Sequence, residues 1–338
     1  MRQELGPAIE DYERFRRSQN YSKNTIRNQN GALKAFLRVN GNIWCHQIDD
    51  RHVTRLFEEL VKTRSSNSLG PVDSALRGFF DWCRQTRRMP SDRDPMFGRR
   101  PPKAVKRERQ RVHRSKFGYM LDQAENISPW HRALTAVLLH TLLRGGEAAE
   151  IRLKDVDLDA GYIKVRIEKR RGEEDRMPIS GPLDRELRKW LTVYTQEVGP
   201  LQPHYYLLPA RRATPVHGKN RRFEKCVITL RPEHKMAATA KHIKPVLASV
   251  GIDIDEKGEG GHTLRRSGAR AMFDALSEAH HPRPMRVVKD MLHHASESQT
   301  EHYIGAEADR LDRDACVRGQ DVYGILDGEG VVRLENVR

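Results

Sequence analysis

Residues 291–305 read MLHHASESQTEHYIG. Two histidines, His293 and His294, stand side by side, and a single tyrosine, Tyr303, follows nine positions after the second. Alone, the segment fits a surface helix with a half-buried tyrosine. A phenol is a weak nucleophile at neutral pH, since it ionises only near about pH 10. A chemical role for Tyr303 therefore requires a base and positive charge brought from elsewhere in the chain.

Three other segments carry such residues. In TLLRGGEAAEI (141–151), Arg144 stands between two helical stretches and Glu147 follows one turn later. In GYIKVRIEKRRGEEDRMPI (161–179), Ile163, Val165 and Ile167 alternate with Lys164 and Arg166. That alternation predicts a strand leading into a charged hairpin turn, with Gly172 easing the bend and Lys169 at the strand end. In HTLRRS (262–267), His262 and Arg265 are three apart and share one helix face. Each piece is ordinary when taken singly: an arginine capping carbonyls, a solvated lysine, a basic helix surface.

Working outward, the N-terminal third is a succession of short amphipathic helices. Ile9, Tyr12 and Phe15 make one apolar stripe, and Ser22 is placed to cap a helix bearing Ile26, Leu33, Phe36 and Leu37. Val53, Leu56, Phe57 and Leu60 mark a third helix, and Leu76, Phe79, Phe80 and Cys83 a fourth. Residues 1–90 are thus expected to form a small all-helical bundle. The stretch PSDRDPMFGRRPPKAVKRERQRVHR (90–114) has helix-breaking prolines and many basic residues without an apolar period. Residues 91–108 are read as an extended basic connector suited to lie along a phosphate backbone.

Residues 109–338 form a second, mixed α and β domain. WHRALTAVLLHTLL (130–143) reads as a helix with Leu134, Val137, Leu138, Thr141 and Leu142 on one face. Ser180 precedes another, bearing Leu183, Leu187, Trp190, Leu191 and Tyr194. Helices return through residues 242–252, 262–276 and 284–292, while residues 200–238 show no clear period. The fold class expected is mostly α with a small antiparallel β-hairpin.

Composition narrows the function. The 338 residues carry a formal net charge of +15, which favours a polyanionic partner, nucleic acid above all. The four cysteines, Cys45, Cys83, Cys226 and Cys316, have no CxxC spacing, so neither a cysteine zinc site nor a disulfide framework is expected. No apolar run reaches the length of a bilayer span, no signal peptide opens the chain, and a reducing cytoplasm is the expected home. His280, His281, His293, His294 and His302 show no ligand spacing on one helix, so no metal is expected. The chain has no GxxxxGK[ST] loop either, so no nucleotide cofactor is expected.

Taken in order, the four segments resemble the tyrosine recombinase, or phage integrase, family. Its members carry an arginine in a GLRxSE-like box, a lysine on a β-hairpin, then HxLRH, LGHxS and a tyrosine nine residues beyond the last histidine. Here the corresponding pieces are LLRGGE (142–147), Lys169, HTLRR (262–266), LHHAS (292–296) and Tyr303. NYSKNTIRNQNGALKAFLRVNG (20–41) is similar to the family's SAM-like core-binding bundle, SxNTIxxYxxxLxxFxxF. The chain departs from the pattern at His293, where the family has glycine, and at Arg266, where it has histidine. It also departs at the hairpin turn, which reads Lys-Arg-Arg-Gly.

The resemblance implies an N-terminal core-binding domain and a C-terminal catalytic domain that cut and rejoin double-stranded DNA without metal or ATP. It implies a 3′-phosphotyrosine on Tyr303 and a Holliday junction. Arg144 and Arg265 would hold the phosphate, Lys169 would act as general acid and His262 as general base. His294 would bond the scissile phosphate, with Glu147 supporting the Arg144–His262 side. It further implies DNA held by both domains, a homotetramer on synapsed DNA, and host bending or directionality factors as added partners. The tail from 306 to 338 would dock on a neighbouring protomer, and the site of action would be the nucleoid of a bacterial host. The loosened boxes and basic connector point first to a phage or mobile-element integrase, of the kind without an added arm-binding domain. A Xer-type dimer-resolution enzyme, a type IB topoisomerase and a DNA-binding regulator without catalysis are the alternatives.

Overall fold

The computed structural model of the chain describes residues 2–101, 103, 109–167, 172–217, 223–255 and 259–305. The chain divides into two compact units, Met1–Glu108 and Arg109–Arg338.

The first unit is built on four helices, α1 (Leu5–Ser18), α2 (Lys23–Asn40), α3 (Asp50–Thr63) and α4 (Ser66–Gln85). Ser22 caps α2 by accepting from the Thr25 amide at 3.1 Å, and Asp49 with His52 closes a capping box on α3. The apolar stripes meet in one core of Leu5, Ile9, Tyr12, Leu33, Phe36, Leu56, Phe79 and Phe80. Phe15, expected on the buried stripe, lies at its rim and remains 40% exposed. The interior turn of α1 is filled by Tyr12, whose ring meets Phe79 edge-on at 5.5 Å. The start of the basic connector does not extend away. Met96 is buried with the helical core, and the Arg99 guanidinium lies 3.8 Å from the Phe57 ring centre. Polar contacts hold the same segment: Arg77 donates to the Arg99 carbonyl at 2.6 Å and Arg84 pairs with Asp94 at 2.9 Å.

In the second unit α5 (Phe117–Ile127), α6 (Pro129–Thr141) and α7 (Gly145–Ala148) precede a three-stranded antiparallel sheet. Its strands are β1 (Val156–Asp157), β2 (Tyr162–Ile167) and β3 (Glu173–Pro178), in sheet order β1-β2-β3. Ile163, Val165 and Ile167 are buried while Lys164 and Arg166 face solvent, as period-2 alternation requires. Gly172 adopts φ +81°, the left-handed conformation that lets the chain return into β3. Then follow α8 (Gly181–Val198), β4 (Pro209–His217), β5 (Phe223–Lys235), α9 (Thr239–Ser249), α10 (Gly261–Glu278), α11 (Pro284–Met291) and α12 (Glu297–Ile304). Ser180 caps α8 by accepting from the Leu183 amide at 3.4 Å.

Helix α6 is the centre of this unit. It is buried nearly all round, from Trp130 to Thr141, where a single apolar face was expected. Arg132 crosses to α8 and donates to both oxygens of Glu186 at 2.6 and 2.9 Å. Residues 209–217 and 223–235, which carry no periodic signal, form a second antiparallel ribbon, β4 with β5. Its entry is pinned by α8, where Trp190 Nε1 donates to the Leu207 carbonyl at 2.8 Å and the Tyr194 hydroxyl to that of Tyr206 at 3.2 Å. The ribbon leaves Val227 and Ile228 exposed, which is why alternation fails to mark it. Among the described residues no helix is long and apolar enough to cross a membrane.

A histidine at the base of the ribbon ties fold to pH. His131 is 5% exposed, with Nδ1 3.2 Å from Arg211 and its ring beside Trp130 and His242. Burial, then the charge of Arg211 and of His242, lowers its pKa to about 4. Since the folded pKa lies below the unfolded one, stability is present above about pH 6.5 and is lost as pH falls towards 4. On the order of 2–3 kcal/mol is expected from this group. Urea melts at pH 7.0 and 4.5 check it: the drop should be smaller in His131→Gln than in the unsubstituted chain.

Candidate active site

Six of the sequence-predicted groups, Arg144, Glu147, His262, Arg265, His294 and Tyr303, come together where α6, α7, α10, α11 and α12 meet. Arg265 lies on α10, one turn before Gly268. A side chain at Gly268 would place its Cβ 2.3 Å from the Leu139 carbonyl oxygen and 2.7 Å from Leu142 Cδ2. Glycine therefore lets α10 press on the backbone of α6. That approach brings the Arg265 side chain, 1% exposed, into the interior. It donates from Nη1 to the Leu142 carbonyl and from Nη2 to the Leu292 carbonyl. Leu142 ends α6 in the left-handed conformation, φ +55°. Burial lowers the pKa of Arg265 to about 10, with Tyr303 and Glu147 acting against the drop and Arg144 adding to it. The guanidinium stays charged at neutral pH.

Arg144 precedes the single-turn helix α7, and Glu147 closes that turn. The fully buried carboxylate accepts from the Arg144 amide and from its Nη1, both at 2.8 Å. Its second oxygen lies 3.9 Å from Arg265 Nη1. Glu147 thus stands between the two arginines. Two guanidinium groups sharing one carboxylate leave a net positive centre suited to an oxyanion.

The tyrosine reaches this centre through a short helix. Ser296 caps α12 by accepting from the Gln299 amide at 3.2 Å, and Gly305, φ +73°, ends it. Arg111 secures that end through the Ile304 carbonyl. Two turns of helix carry Tyr303 back over His294, whose ring it meets edge-on with centres 5.2 Å apart. The Tyr303 hydroxyl lies 3.4 Å from His262 Nδ1 and donates to the His262 carbonyl at 3.4 Å. Burial raises the phenol's pKa, while the charges of Arg265, Arg266 and Arg144 oppose the rise. The phenol is therefore protonated at neutral pH, with an imidazole nitrogen within reach of its proton.

His294 is buried and its Nδ1 lies 3.1 Å from Thr300 Oγ1, which donates in turn to the Ser296 carbonyl. His302 is exposed. Lys169 falls outside the described residues, as does the tail from 306 to 338; the strands flanking Lys169 end at Ile167 and begin again at Glu173. Among the described residues no group of three or more histidine, cysteine or acidic side chains could hold a metal ion.

Residues assigned no role at the site from sequence also meet here. Arg266, in the place of the family's histidine, is buried and pairs with the fully buried Glu259 at 2.5 Å while donating to the Gln110 carbonyl at 3.1 Å. It ties the start of α10 to the segment entering the unit. A cavity of about 450 Å³ opens beside the reactive cluster, lined by Arg144, Gly145, Lys235, Thr239 and His262. A second, of about 580 Å³, shares Gly146 and Lys235 with it and continues past Lys154, Lys164 and Arg166. The outward lysine of a half-buried strand was the available signal for Lys164; nothing in the unassigned stretch marked Lys235.

Comparison with known proteins gives the same segments. Residues 111–310 match the model of the phage integrase family, and residues 9–86 that of the phage integrase N-terminal SAM-like domain. The tyrosine recombinase XerA of Pyrococcus furiosus is 23% identical, over 95% of this chain and 97% of its own. Among solved structures, a lambda integrase tetramer bound to a Holliday junction covers 87% of this chain and 78% of its own, at 16% identity and a TM-score of 0.63. The Tn1549 transposon integrase in complex with a circular intermediate DNA covers 91% and 99%, at 12% identity and a TM-score of 0.66. At these identities the structural likeness concerns the fold.

The close approach at Gly268 is directly testable. Gly268→Ala should force α10 off α6, costing about 1–3 kcal/mol in a urea melt. Because Arg265 moves with the helix, DNA cleavage should fall by on the order of 10²-fold at temperatures where the variant remains folded.

Proposed function

The chain belongs to the phage integrase family, the tyrosine recombinases that cut and rejoin DNA strands, and we propose how its residues divide that reaction. Tyr303 attacks the scissile phosphorus. The bond to the 5′ oxygen breaks as the tyrosyl bond forms, leaving a 3′-phosphotyrosine and a 5′-hydroxyl. His262 takes the phenolic proton, and Lys169 delivers one to the departing 5′ oxygen. Arg144 and Arg265 hold the non-bridging oxygens and favour the charge that develops there; Glu147 keeps both guanidinium groups in position. His294 donates to the same phosphate. In the second half of the reaction a 5′-hydroxyl from a partner strand gives its proton to Lys169 and attacks the phosphotyrosine; the tyrosyl–phosphorus bond breaks, and His262 returns the proton to the phenol.

The observation that carries this reading is the approach of the Tyr303 hydroxyl to His262 at 3.4 Å, with Arg265 and the Arg144–Glu147 pair around it. The electrostatics support it too: burial leaves the phenol needing a base, and the arginines lower the cost of its ionisation.

The partner is double-stranded DNA, bound by both units, with an affinity that falls steeply as salt rises. Exchange of strands between two duplexes calls for four copies on synapsed DNA. The first reading is integration of a phage or mobile element, on the loosened boxes and the basic connector. Dimer resolution by a Xer-type enzyme uses the same residues and differs in its DNA sites. Two identical sites recombining as efficiently as two unlike ones would favour resolution.

The test is a nicked duplex that traps the covalent adduct, offered with candidate attachment sequences. The unsubstituted chain should give a denaturation-resistant protein–DNA species and Tyr303→Phe none. Arg144→Ala and Arg265→Ala should slow its formation by on the order of 10²–10³-fold. An adduct that survives in Tyr303→Phe would remove Tyr303 from the role of nucleophile.

A further inference from the structure

His293 occupies a position that its own backbone disfavours. Its φ is +52°, in the left-handed region where a residue with a Cβ is strained and glycine is not. The side chain is almost wholly buried, and its Nδ1 has no hydrogen-bond partner among the described residues. Neither feature stabilises the fold, so the residue is held there for something else. Its Nε2 makes a bond of 2.7 Å to Oδ2 of Asp175, 118 residues earlier in the chain.

Asp175 belongs to β3, where it pairs with Val165 of β2, near the end that carries the hairpin turn. Only Met177 of the six β3 residues is buried, so the hydrophobic core holds this part of the strand weakly. At the other end of the bond, His293 lies between Leu292, whose carbonyl accepts from Arg265, and His294, whose ring meets Tyr303. The bond therefore couples an exposed strand of the sheet to the turn on which the reactive cluster is assembled.

We infer that His293 and Asp175 are positioning residues, a latch that fixes the β2–β3 hairpin against the catalytic turn. The catalytic consequence rests on the reaction assigned above, in which that hairpin carries Lys169; the structural consequence does not.

Five chains separate the two: the unsubstituted protein, His293→Gly, His293→Gln, Asp175→Ala and the double variant of His293→Gly with Asp175→Ala. His293→Gly relieves the left-handed strain and removes a buried orphan nitrogen, so its melting temperature should stay the same or rise. Single-turnover cleavage should nevertheless slow by about tenfold or more, with DNA affinity unchanged. Asp175→Ala should show the same loss, and the double variant no further one, because the two side chains act as one unit. Without DNA, backbone amides of residues 173–177 should exchange with solvent faster in His293→Gly and in Asp175→Ala. His293→Gln, which offers an amide N–H near the Nε2 position, should recover most of the rate.

Unchanged amide exchange in His293→Gly would overturn the latch, as would losses that multiply in the double variant. Faster exchange with normal cleavage would leave the latch standing and remove its catalytic consequence. Failure of the recombinase reading shows separately, through the adduct in Tyr303→Phe.

Discussion

Everything around the reactive cluster depends on one buried cation. The Arg265 guanidinium, shut away from solvent, is bound by the carbonyls at the ends of α6 and α11 and lies near the Glu147 carboxylate. Hydrogen bonds to a charged donor are the stronger kind, and an unpaired buried charge is among the most costly features a fold can contain. Arg265 thus fixes where α6 stops and where α11 turns. Those two points decide where Arg144 enters α7 and where His294 and Tyr303 begin their approach. A residue proposed to hold the phosphate is also the pin of its own site.

The same geometry resolves a conflict of electrostatics. Burying a phenol raises its pKa, and burying an arginine lowers its own; both shifts oppose chemistry that needs a phenolate beside a guanidinium. Brought together, each moderates the other's shift. Glu147 prevents Arg144 and Arg265 from repelling one another without neutralising both. The centre is left positive and structured before any substrate arrives, so little reorganisation is needed when charge develops.

Much of this was legible in one dimension. The i, i+3 spacing of His262 and Arg265, the Ser22 and Ser180 caps and the alternation of β2 are local rules, and all appear in the structure. The ribbon of β4 and β5 was not legible, because consecutive residues 212–215 and 226–229 are all exposed and so impose no alternation. Phe15 and Met96 went the other way. A stripe shows which side of a helix is apolar, but neighbours decide how far along it burial reaches. Residues 168–171, with Lys169, lie outside the described residues, so the lysine's place rests on the sequence pattern.

The sequence by itself determined the family, the order of helical bundle and mixed unit, and the candidates for the reactive groups, because helix period, strand alternation and the spacing of short boxes are properties of neighbouring residues. Tertiary structure alone decided that Glu147 serves both arginines, that Arg266 is locked to Glu259, and that His293 in its left-handed backbone reaches Asp175 across 118 residues. Contacts of that kind depend on where whole elements stop and how closely they pack, as Gly268 does for α10 against α6. No local pattern encodes them, since each partner obeys its own segment's rules and the bond between them belongs to neither.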